Sequence, residues 1–460
     1  MEITFFAALG FLFAAYAVVG NDALQTLGTF INSNSRLHWF WLFLFAGTIL
    51  VVTFTFGWVI YDGDPSWGRL SNAKKYPWPE GGIQWYHTLP PLALVVITRF
   101  GVPVSTSFMV LTVFATVGGM TSMLQKSLTG YALAFIVGLL IYLVLSRTLE
   151  KRFQASSAAD KAPWGLATAM GFVIALSVYV LPDLVVGCDL SQLTAADDIG
   201  SCQKRLDFIA QYKSYAPYIA ASGILLESLI FLLSRKFGKA TYWILLQWVT
   251  TGYLWSVWLI QDFANIFVFL PREITAIEGF FAMFAILALL AYTFWNKGGP
   301  VQKILRSKTA VTDIRSATII DFTYACLLFL FKEVSAIPMS TTFVFLGLIA
   351  GREYGFTLFN RGMDLLRTTR LTVSDAAKAY IGLVVSIDMA VGLPRLAGAL
   401  SGDALAPISS SYLWFIGIAN LLLIPVAWFL MRQDDRIRQY VTGAILIVAG
   451  VTFFVMPPSA

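Results

Sequence analysis

The amino-acid sequence predicts an all-α protein that crosses a membrane many times and is built from two inverted repeats. Of its 460 residues, 58% are hydrophobic and only 13% are charged, with a mean hydropathy of +0.73. Soluble chains are about 45–50% apolar and about 25% charged. Long apolar runs recur along the chain, and two short polar motifs each occur twice. We therefore expect about ten spanning helices in the lipid bilayer, together with two re-entrant helical hairpins.

The composition also argues against several classes of protein. The net charge is only +6, which the loops of a membrane protein explain, so we expect no binding to nucleic acid. Three cysteines and two histidines are too few for a disulfide scaffold, an iron–sulfur cluster or a zinc enzyme. No general base lies at a suggestive spacing from the hydroxyl-rich motifs, so we expect neither an enzyme nor a cofactor.

The apolar runs give the spans in chain order. The N-terminal run lacks the basic region and the cleavage site of a signal peptide, so it is predicted to remain as the first helix. Nine further runs of a length suited to one crossing lie at 39–61, 130–148, 163–187, 216–234, 240–260, 275–295, 376–396, 412–431 and 438–456.

Two other runs, at 89–120 and 316–350, are too long for one crossing. They are interrupted by GVPVSTS and AIPMSTT. A proline and hydroxyl residues at mid-depth leave backbone groups unpaired, which lipid forbids unless those groups line a cavity or are buried in protein. We interpret both runs as re-entrant hairpins.

The distribution of basic residues predicts the orientation, because they are retained in cytoplasmic loops. If the basic loops face the cytoplasm, both termini lie on the external side of the cell (inner) membrane. The 188–215 loop, which carries four aspartates, then faces outside. Its Cys188 and Cys202 could pair there as a disulfide or remain free thiols.

This orientation makes the first helix run inward and the helix at 240–260 run outward, which is the geometry of an inverted repeat and a common plan of secondary transporters. The predicted division of the chain is a first repeat at 1–187, an external loop and connecting helix at 188–239, a second repeat at 240–431 and a C-terminal helix at 432–460.

The repeated motifs are the most specific signal in the sequence. GNDALQTLGT at 20–29 and QDFAN at 261–265 each place an acid beside an amide, with a second amide three residues beyond the acid. The hairpin motifs are VPVSTSF at 102–108 and IPMSTTF at 337–343. Asp22 and Asp262 are 240 positions apart, and Ser105 and Ser340 are 235 apart. One such motif alone is usually a helix cap or a loop, but two motifs recurring in the same order indicate a duplicated transport site.

The hairpin motifs predict an anion site. A proline at the first helical position with hydroxyls after it begins a helix, so each second arm would aim N–H groups and a positive dipole end at the midplane. The hydroxyls that could bind a tetrahedral oxyanion are those of Ser105, Thr106, Ser107, Ser340, Thr341 and Thr342. Arg99 and Lys332 could each add a positive charge, or could instead extend to the interface or pair with a neighbouring acid.

The acid motifs predict a cation site. Asp22 and Asp262 are expected at helix interruptions inside the membrane, where charged groups are costly and usually functional. The amide oxygens that could complete a cage for sodium belong to Asn21, Gln25, Gln261 and Asn265. Direct proton carriage by the two acids is the alternative. Glu227, Asp321 and Asp388 also lie in apolar segments and could partner a motif residue or bind an additional ion.

These motifs resemble those of a known family. GNDALQTLGT is similar to the GANDVANAFGT signature of the inorganic phosphate transporters, which are sodium- or proton-coupled phosphate and sulfate permeases, and QDFAN is similar to its second copy. GVPVSTS and AIPMSTT resemble the family's GLPVSTTH hairpin motif. The histidine of that motif is replaced by Phe108 and Phe343, and two amide positions are occupied by Gln25 and Gln261. We therefore expect a distant branch of the family.

The resemblance implies that the hairpin hydroxyls hold the anion and that Asn21, Asp22, Asp262 and Asn265 hold the coupling cations. It implies a cation-coupled symporter, with sodium as the coupling ion and inorganic phosphate as the substrate. The alternatives are a proton-coupled permease for sulfate or another oxyanion, and a passive anion channel. A homodimer is left open.

Overall fold

A computed structural model describes most of the chain as helices. The described residues are 3–70, 74–99, 105–145, 156–158, 162–185, 206, 210, 213–296, 313–334, 339–359, 365–401, 410–432, 438–439 and 441–448. Within these ranges there is no β-strand, so the predicted all-α class is confirmed for the described part of the chain. Cys188 and Cys202 lie outside these ranges.

The described part of the first half of the chain contains seven α-helices. They are α1 (Phe5–Val18), α2 (Leu24–Ser33), α3 (Trp39–Ile60), α4 (Leu89–Arg99), α5 (Thr106–Leu111), α6 (Val117–Leu145) and α7 (Leu166–Val185). A π-helix at Val19–Ala23 joins α1 to α2, and a 3₁₀-helix at Trp85–Thr88 precedes α4.

Seven more α-helices lie within the described ranges of the second half. They are α8 (Ala216–Phe237), α9 (Ala240–Phe267), α10 (Ala276–Trp295), α11 (Ile314–Val334), α12 (Thr341–Phe359), α13 (Leu365–Ser401) and α14 (Ser410–Met431). Seven helices of the described chain are long and apolar enough to cross a membrane, and three shorter ones are apolar. The chain is therefore a multi-pass membrane protein.

Several helix boundaries differ from the sequence-based ones. Helix α6 begins at Val117, so residues 117–120, which we had placed in the first hairpin, belong to a long helix. Helix α13 has 37 residues and includes the whole predicted span 376–396. Helix α11, the first arm of the second predicted hairpin, contains an apolar stretch long enough to cross the membrane at Ile314–Phe331. The re-entrant character of both hairpins stays a prediction.

The chain divides into two compact units, and each draws on both halves of the sequence. The first unit contains Met1–Arg147, Trp258–Ala310 and Ile337–Ala460. The second contains Thr148–Val257 and Val311–Ala336. These units do not follow the predicted repeat boundaries, which stay a prediction.

Close packing of α6 on α12 is a main feature of the first unit. A Cβ atom added to Gly347 would meet the backbone oxygen of Tyr131, and one added to Gly351 would meet that of Phe135. Since the contacts advance along both helices in the same direction, α6 and α12 run parallel. Small residues that let helix backbones approach closely are common at membrane helix interfaces.

The second unit uses two of the intramembrane acids for internal contacts. The Glu227 carboxylate accepts the backbone N–H of Ala167 at 2.8 Å and the Tyr242 hydroxyl at 3.1 Å. The Asp321 carboxylate accepts the Thr251 hydroxyl at 2.8 Å. Both acids therefore join helices within this unit, and Glu227 also caps the start of α7.

Candidate functional site

The first acid motif lies in the π-helix between α1 and α2. Asn21 and Asp22 are both within Val19–Ala23, and Asp22 is only 1% exposed. A π-turn widens the helix without ending it and is frequent at functional sites. The predicted interruption at Asp22 is therefore a wide helical turn and not a break in the helix.

The first hairpin motif contacts this turn through Thr106. Its hydroxyl donates to the Asp22 carboxylate, and both side chains are buried. The Ser105 hydroxyl accepts the Phe108 N–H at 3.2 Å, so Ser105 is the N-cap of α5. Helix α5 thus begins at Thr106, three residues after Pro103, and the expectation of proline at its first position is wrong. The serine hydroxyl supplies the cap.

The second acid motif lies inside a continuous helix. Gln261, Asp262 and Asn265 are all within α9, which extends to Phe267, and each is at most 1% exposed. The expectation that Asp262 lies at a helix interruption is therefore wrong. Asn265 is one turn beyond Asp262 and donates to its Oδ1 at 2.5 Å. Because side chains supply hydrogen bonds to the acid, the backbone can remain helical.

The second hairpin motif reaches Asp262 through Thr341, whose hydroxyl hydrogen-bonds that carboxylate. The Ser340 hydroxyl accepts the Phe343 N–H at 3.2 Å and so caps the start of α12, as Ser105 does for α5. The Ser340 N–H in turn donates to the Ser127 hydroxyl of α6 at 2.9 Å. Equivalent residues of the two hairpins therefore perform equivalent tasks.

The two sets of motifs meet at one place in the first unit. Ser107 donates to the Met339 carbonyl at 2.9 Å and accepts the Asn265 side-chain amide at 3.1 Å. The rings of Phe108 and Phe343, which are equivalent positions in the two motifs, lie 5.8 Å apart between centroids. Contact between equivalent residues is what a pseudo-two-fold axis produces.

Helix direction agrees with such an axis. Phe11 of α1 contacts Phe267 near the end of α9, with ring centroids 5.7 Å apart. Asp22, in the π-helix that continues α1, acts on Asp262, which comes before Phe267 in α9. The two helices are thus antiparallel here, as inverted repeats require.

Buried oxygen atoms at this centre lack protein partners. Asp262 Oδ2, Asn265 Oδ1 and Thr342 Oγ1 have no hydrogen-bond partner among the described residues. Unsatisfied buried oxygens are rare in folded proteins, because each costs about 1–3 kcal/mol or more. All three can accept from or ligate a positive group, so the donor set suits a hard cation such as sodium.

The charges of the centre include one that the sequence did not single out. Arg69 is 3% exposed, and its Nε donates to the Ile260 carbonyl at 2.8 Å, directly before the QDFAN motif. Arg69 interacts electrostatically with Asp262. The like charge of Asp22 also acts on Asp262. Arg69 thus brings a positive charge to act on the Asp262 carboxylate.

A structured turn holds Arg69 in place. Asp64 Oδ1 accepts the Ser66 N–H at 2.7 Å and Oδ2 accepts the Gly68 N–H at 3.1 Å. Burial raises the pKa of Asp64, while these hydrogen bonds and the charge of Arg272 oppose that rise. The sequence signal for this turn was the DPSWG segment, which is typical of an ordered loop.

For several predicted residues the structure gives only the backbone position. Asn21 is in the π-helix, Gln25 is in the first turn of α2, and Arg99 is the last residue of α4. The structure does not describe the side chains of these three residues, nor that of Lys332 in the last turn of α11. The roles assigned to these four residues stay predictions.

Long apolar helices around a buried, oxygen-rich centre define this chain as a membrane protein with an internal polar site. No family model and no curated protein matches it. One solved structure does, and it is described as the sodium-dependent phosphate transporter. The match covers 86% of this chain and 98% of that one, with a TM-score of 0.50 and 16% sequence identity. The two proteins share a fold.

Proposed function

We propose that the protein is a cation-coupled symporter that moves a small oxyanion, most simply inorganic phosphate, by alternating access. The observation that carries this proposal is the pair of equivalent contacts, Thr106 with Asp22 and Thr341 with Asp262. Each joins a residue suited to an anion with a residue suited to a cation. The shared fold with a sodium-dependent phosphate transporter supports the same function.

Sodium is the proposed coupling ion. Asp262 Oδ2 and Asn265 Oδ1 are buried oxygens without partners among the described residues, and Thr342 Oγ1 is a third. The further ligands proposed from the motifs are Asn21, Asp22, Gln25 and Gln261. Hard cations prefer such carboxylate, amide and hydroxyl oxygens.

Electrostatics explains how the cation would control the anion. Asp22 and Asp262 are near enough to repel each other, and in a buried site they would also repel an incoming oxyanion. Bound sodium neutralises that charge and competes with Thr106 and Thr341 for the carboxylates. The hydroxyls could then turn to the anion, with Arg69 contributing positive charge. Coupling of this kind raises the affinity of each ligand in the presence of the other.

Proton coupling is the second candidate. An acid oxygen without a partner can be satisfied by a proton as well as by a metal ion, and Asp262 Oδ2 is such an oxygen. In that case the substrate could equally be sulfate or another oxyanion. A passive anion channel would need no such acids at its centre.

Ligand binding to the purified protein tests the proposal. We would measure thermal unfolding with phosphate, sulfate, arsenate and bicarbonate, each with sodium and with potassium. A ligand at 100 times its Kd stabilises the folded state by about 2.7 kcal/mol. We expect phosphate to raise the midpoint, and to do so more in sodium. No response to any oxyanion would contradict the anion site, and an equal response in both salts would contradict sodium coupling.

A further inference from the structure

A second buried polar pair lies in the first unit, on helices that carry none of the repeated motifs. Asp388 is near the middle of α13 and is only 2% exposed. The Asn420 side-chain amide of α14 donates to Asp388 Oδ1 at 3.3 Å. The neighbouring carbonyl, that of Ala419, accepts the Tyr380 hydroxyl at 2.8 Å. This second bond holds α14 against α13 beside the pair.

Within the described part of the chain, two oxygens of this pair have no hydrogen-bond donor. Asp388 Oδ2 and Asn420 Oδ1 are buried, and neither has a partner among the described residues. Reversing the amide of Asn420 does not remove the difficulty, because its oxygen would then face Asp388 Oδ1. In both orientations, the two side chains need one more hydrogen atom to complete their hydrogen bonds to each other.

A proton supplies that hydrogen. A neutral carboxyl on Asp388 can donate from Oδ2 to Asn420 Oδ1 while Oδ1 accepts the amide N–H, which closes a ring of two hydrogen bonds. A buried carboxylate without a compensating charge is usually neutralised in this way. A hard metal ion would need about six oxygens, whereas the two side chains together offer far fewer.

The charged and titratable groups near α13 leave this conclusion in place. On α13 itself, the Tyr380 hydroxyl bonds the Ala419 carbonyl and Lys378 pairs with Asp375. The arginines of α13 are all at least seven positions from Asp388 in the sequence: Arg367, Arg370 and Arg395. On α12, which packs against α13, Arg352 pairs with Glu353 and Tyr354 bonds Thr369. The 3₁₀-helix packed on α13 carries Tyr86 and His87, and His87 Nδ1 accepts the Gln84 N–H. Helix α5 and the described side chains of α14 include no titratable group.

We propose that Asp388 is a proton-binding site, with Asn420 as the acceptor of the bound proton. This site is separate from the acid motifs and does not depend on which anion the protein moves. It would make the protein responsive to pH through α13 and α14, two helices that carry no residue of the proposed sodium site.

Infrared spectroscopy of the full-length protein in lipid tests the proposal without any transport measurement. A protonated carboxyl has a C=O stretching band that a carboxylate lacks. With isotope-labelled aspartate at neutral pH, where an exposed aspartate (pKa about 3.9) is ionised, we expect such a band in the wild type. Asp388→Asn should lower the intensity of this band by the contribution of one carboxyl group. The matched control is Asp375→Asn on the same helix, where the carboxylate pairs with Lys378 at 3.5 Å, and it should leave the band unchanged.

A second variant covers the case in which Asp388→Asn does not fold. Asn420→Leu removes the proposed hydrogen-bond partner, so the band should move to the frequency of a less strongly bonded carboxyl. A wild-type protein without the band would overturn the proposal. So would a band that is unchanged in Asp388→Asn, or unshifted in Asn420→Leu. Failure of anion binding or uptake leaves this measurement unaffected, so the two proposals can fail separately.

Discussion

Asp262 is the residue on which most contacts of the candidate site converge. Asn265 and Thr341 hydrogen-bond it, Arg69 and Asp22 act on it through their charges, and its Oδ2 has no partner among the described residues. A carboxylate in this setting can hold a cation, whereas an amide of the same shape cannot neutralise one.

We expect Asp262→Asn to weaken the sodium-dependent part of phosphate binding. Loss of one charge-assisted interaction is worth about 1.5–3 kcal/mol, so the affinity for sodium should fall by roughly tenfold to a hundredfold. Thermal unfolding against sodium concentration measures it. The control is Glu278→Gln, an exposed carboxylate in the same unit whose capping role glutamine can also fill. Full sodium dependence in Asp262→Asn would contradict the cation role.

His87 lies outside the spanning helices, and its burial predicts how the stability of the protein depends on pH. Its ring stacks on Phe114 at 5.1 Å, and burial lowers the pKa of His87 to about 4. In the unfolded chain the value is about 6.5, so below that pH the unfolded state binds a proton that the folded state does not. Stability should therefore decline as pH falls from about 6.5 to about 4, by on the order of 3 kcal/mol.

Substitution of His87 separates this effect from general acid instability. His87→Gln keeps an acceptor for the Gln84 N–H but does not titrate, so its unfolding midpoint should depend less on pH in that range. Identical profiles for wild type and His87→Gln would refute the assignment.

Sequence reasoning located Asp22, Thr106, Asp262 and Thr341, because each recurs in a duplicated motif. It missed Arg69, which lies in a loop with no repeated counterpart. It also could not pair the residues. Thr106 and Asp22 are 84 positions apart and Ser107 and Asn265 are 158 apart, and such contacts depend on how helices meet in space.

At the scale of elements, the helices themselves follow from the apolar runs, but their ends do not. The polar QDFAN segment predicted the end of α9 near residue 260, yet the helix continues to Phe267. The first motif likewise stays helical, as a π-turn. A polar segment ends a helix when its side chains take their hydrogen bonds from the helix backbone. Here other side chains provide those hydrogen bonds, and only the tertiary structure shows which ones.

The α6–α12 interface gives a prediction about packing. A Cβ atom at Gly351 would lie 2.8 Å from the Leu139 backbone nitrogen and nearer still to the Phe135 oxygen. Backbone atoms cannot move aside as a flexible side chain would. Gly351→Ala should therefore destabilise the protein by about 1–3 kcal/mol, measured as a lower unfolding midpoint.

Gly417→Ala is the matched control, since a Cβ atom there would meet nothing within 4 Å. In a helix interior alanine is favoured over glycine by up to about 1 kcal/mol, so this variant should be as stable as the wild type or more so. Equal destabilisation by the two substitutions would show that close approach of α6 and α12 is not the cause.

At the scale of the whole molecule, the sequence predicted a multi-pass protein from its scarcity of charge, and the described helices confirm it. The compact units could not be predicted. Each combines segments from both halves of the chain, so they cut across the repeat boundaries drawn from sequence order. The central site lies in one unit because Trp258–Ala310 and Ile337–Ala460 join the N-terminal 147 residues there.

Uptake by the purified protein in liposomes tests the central claim most directly. With an inward sodium gradient, labelled phosphate should accumulate inside above its external concentration. Replacing the gradient by potassium, or the protein by Asp262→Asn, should abolish the accumulation. Phosphate that only equilibrates across the membrane, whatever sodium or proton gradient is applied, would contradict coupled transport and identify a passive anion pathway.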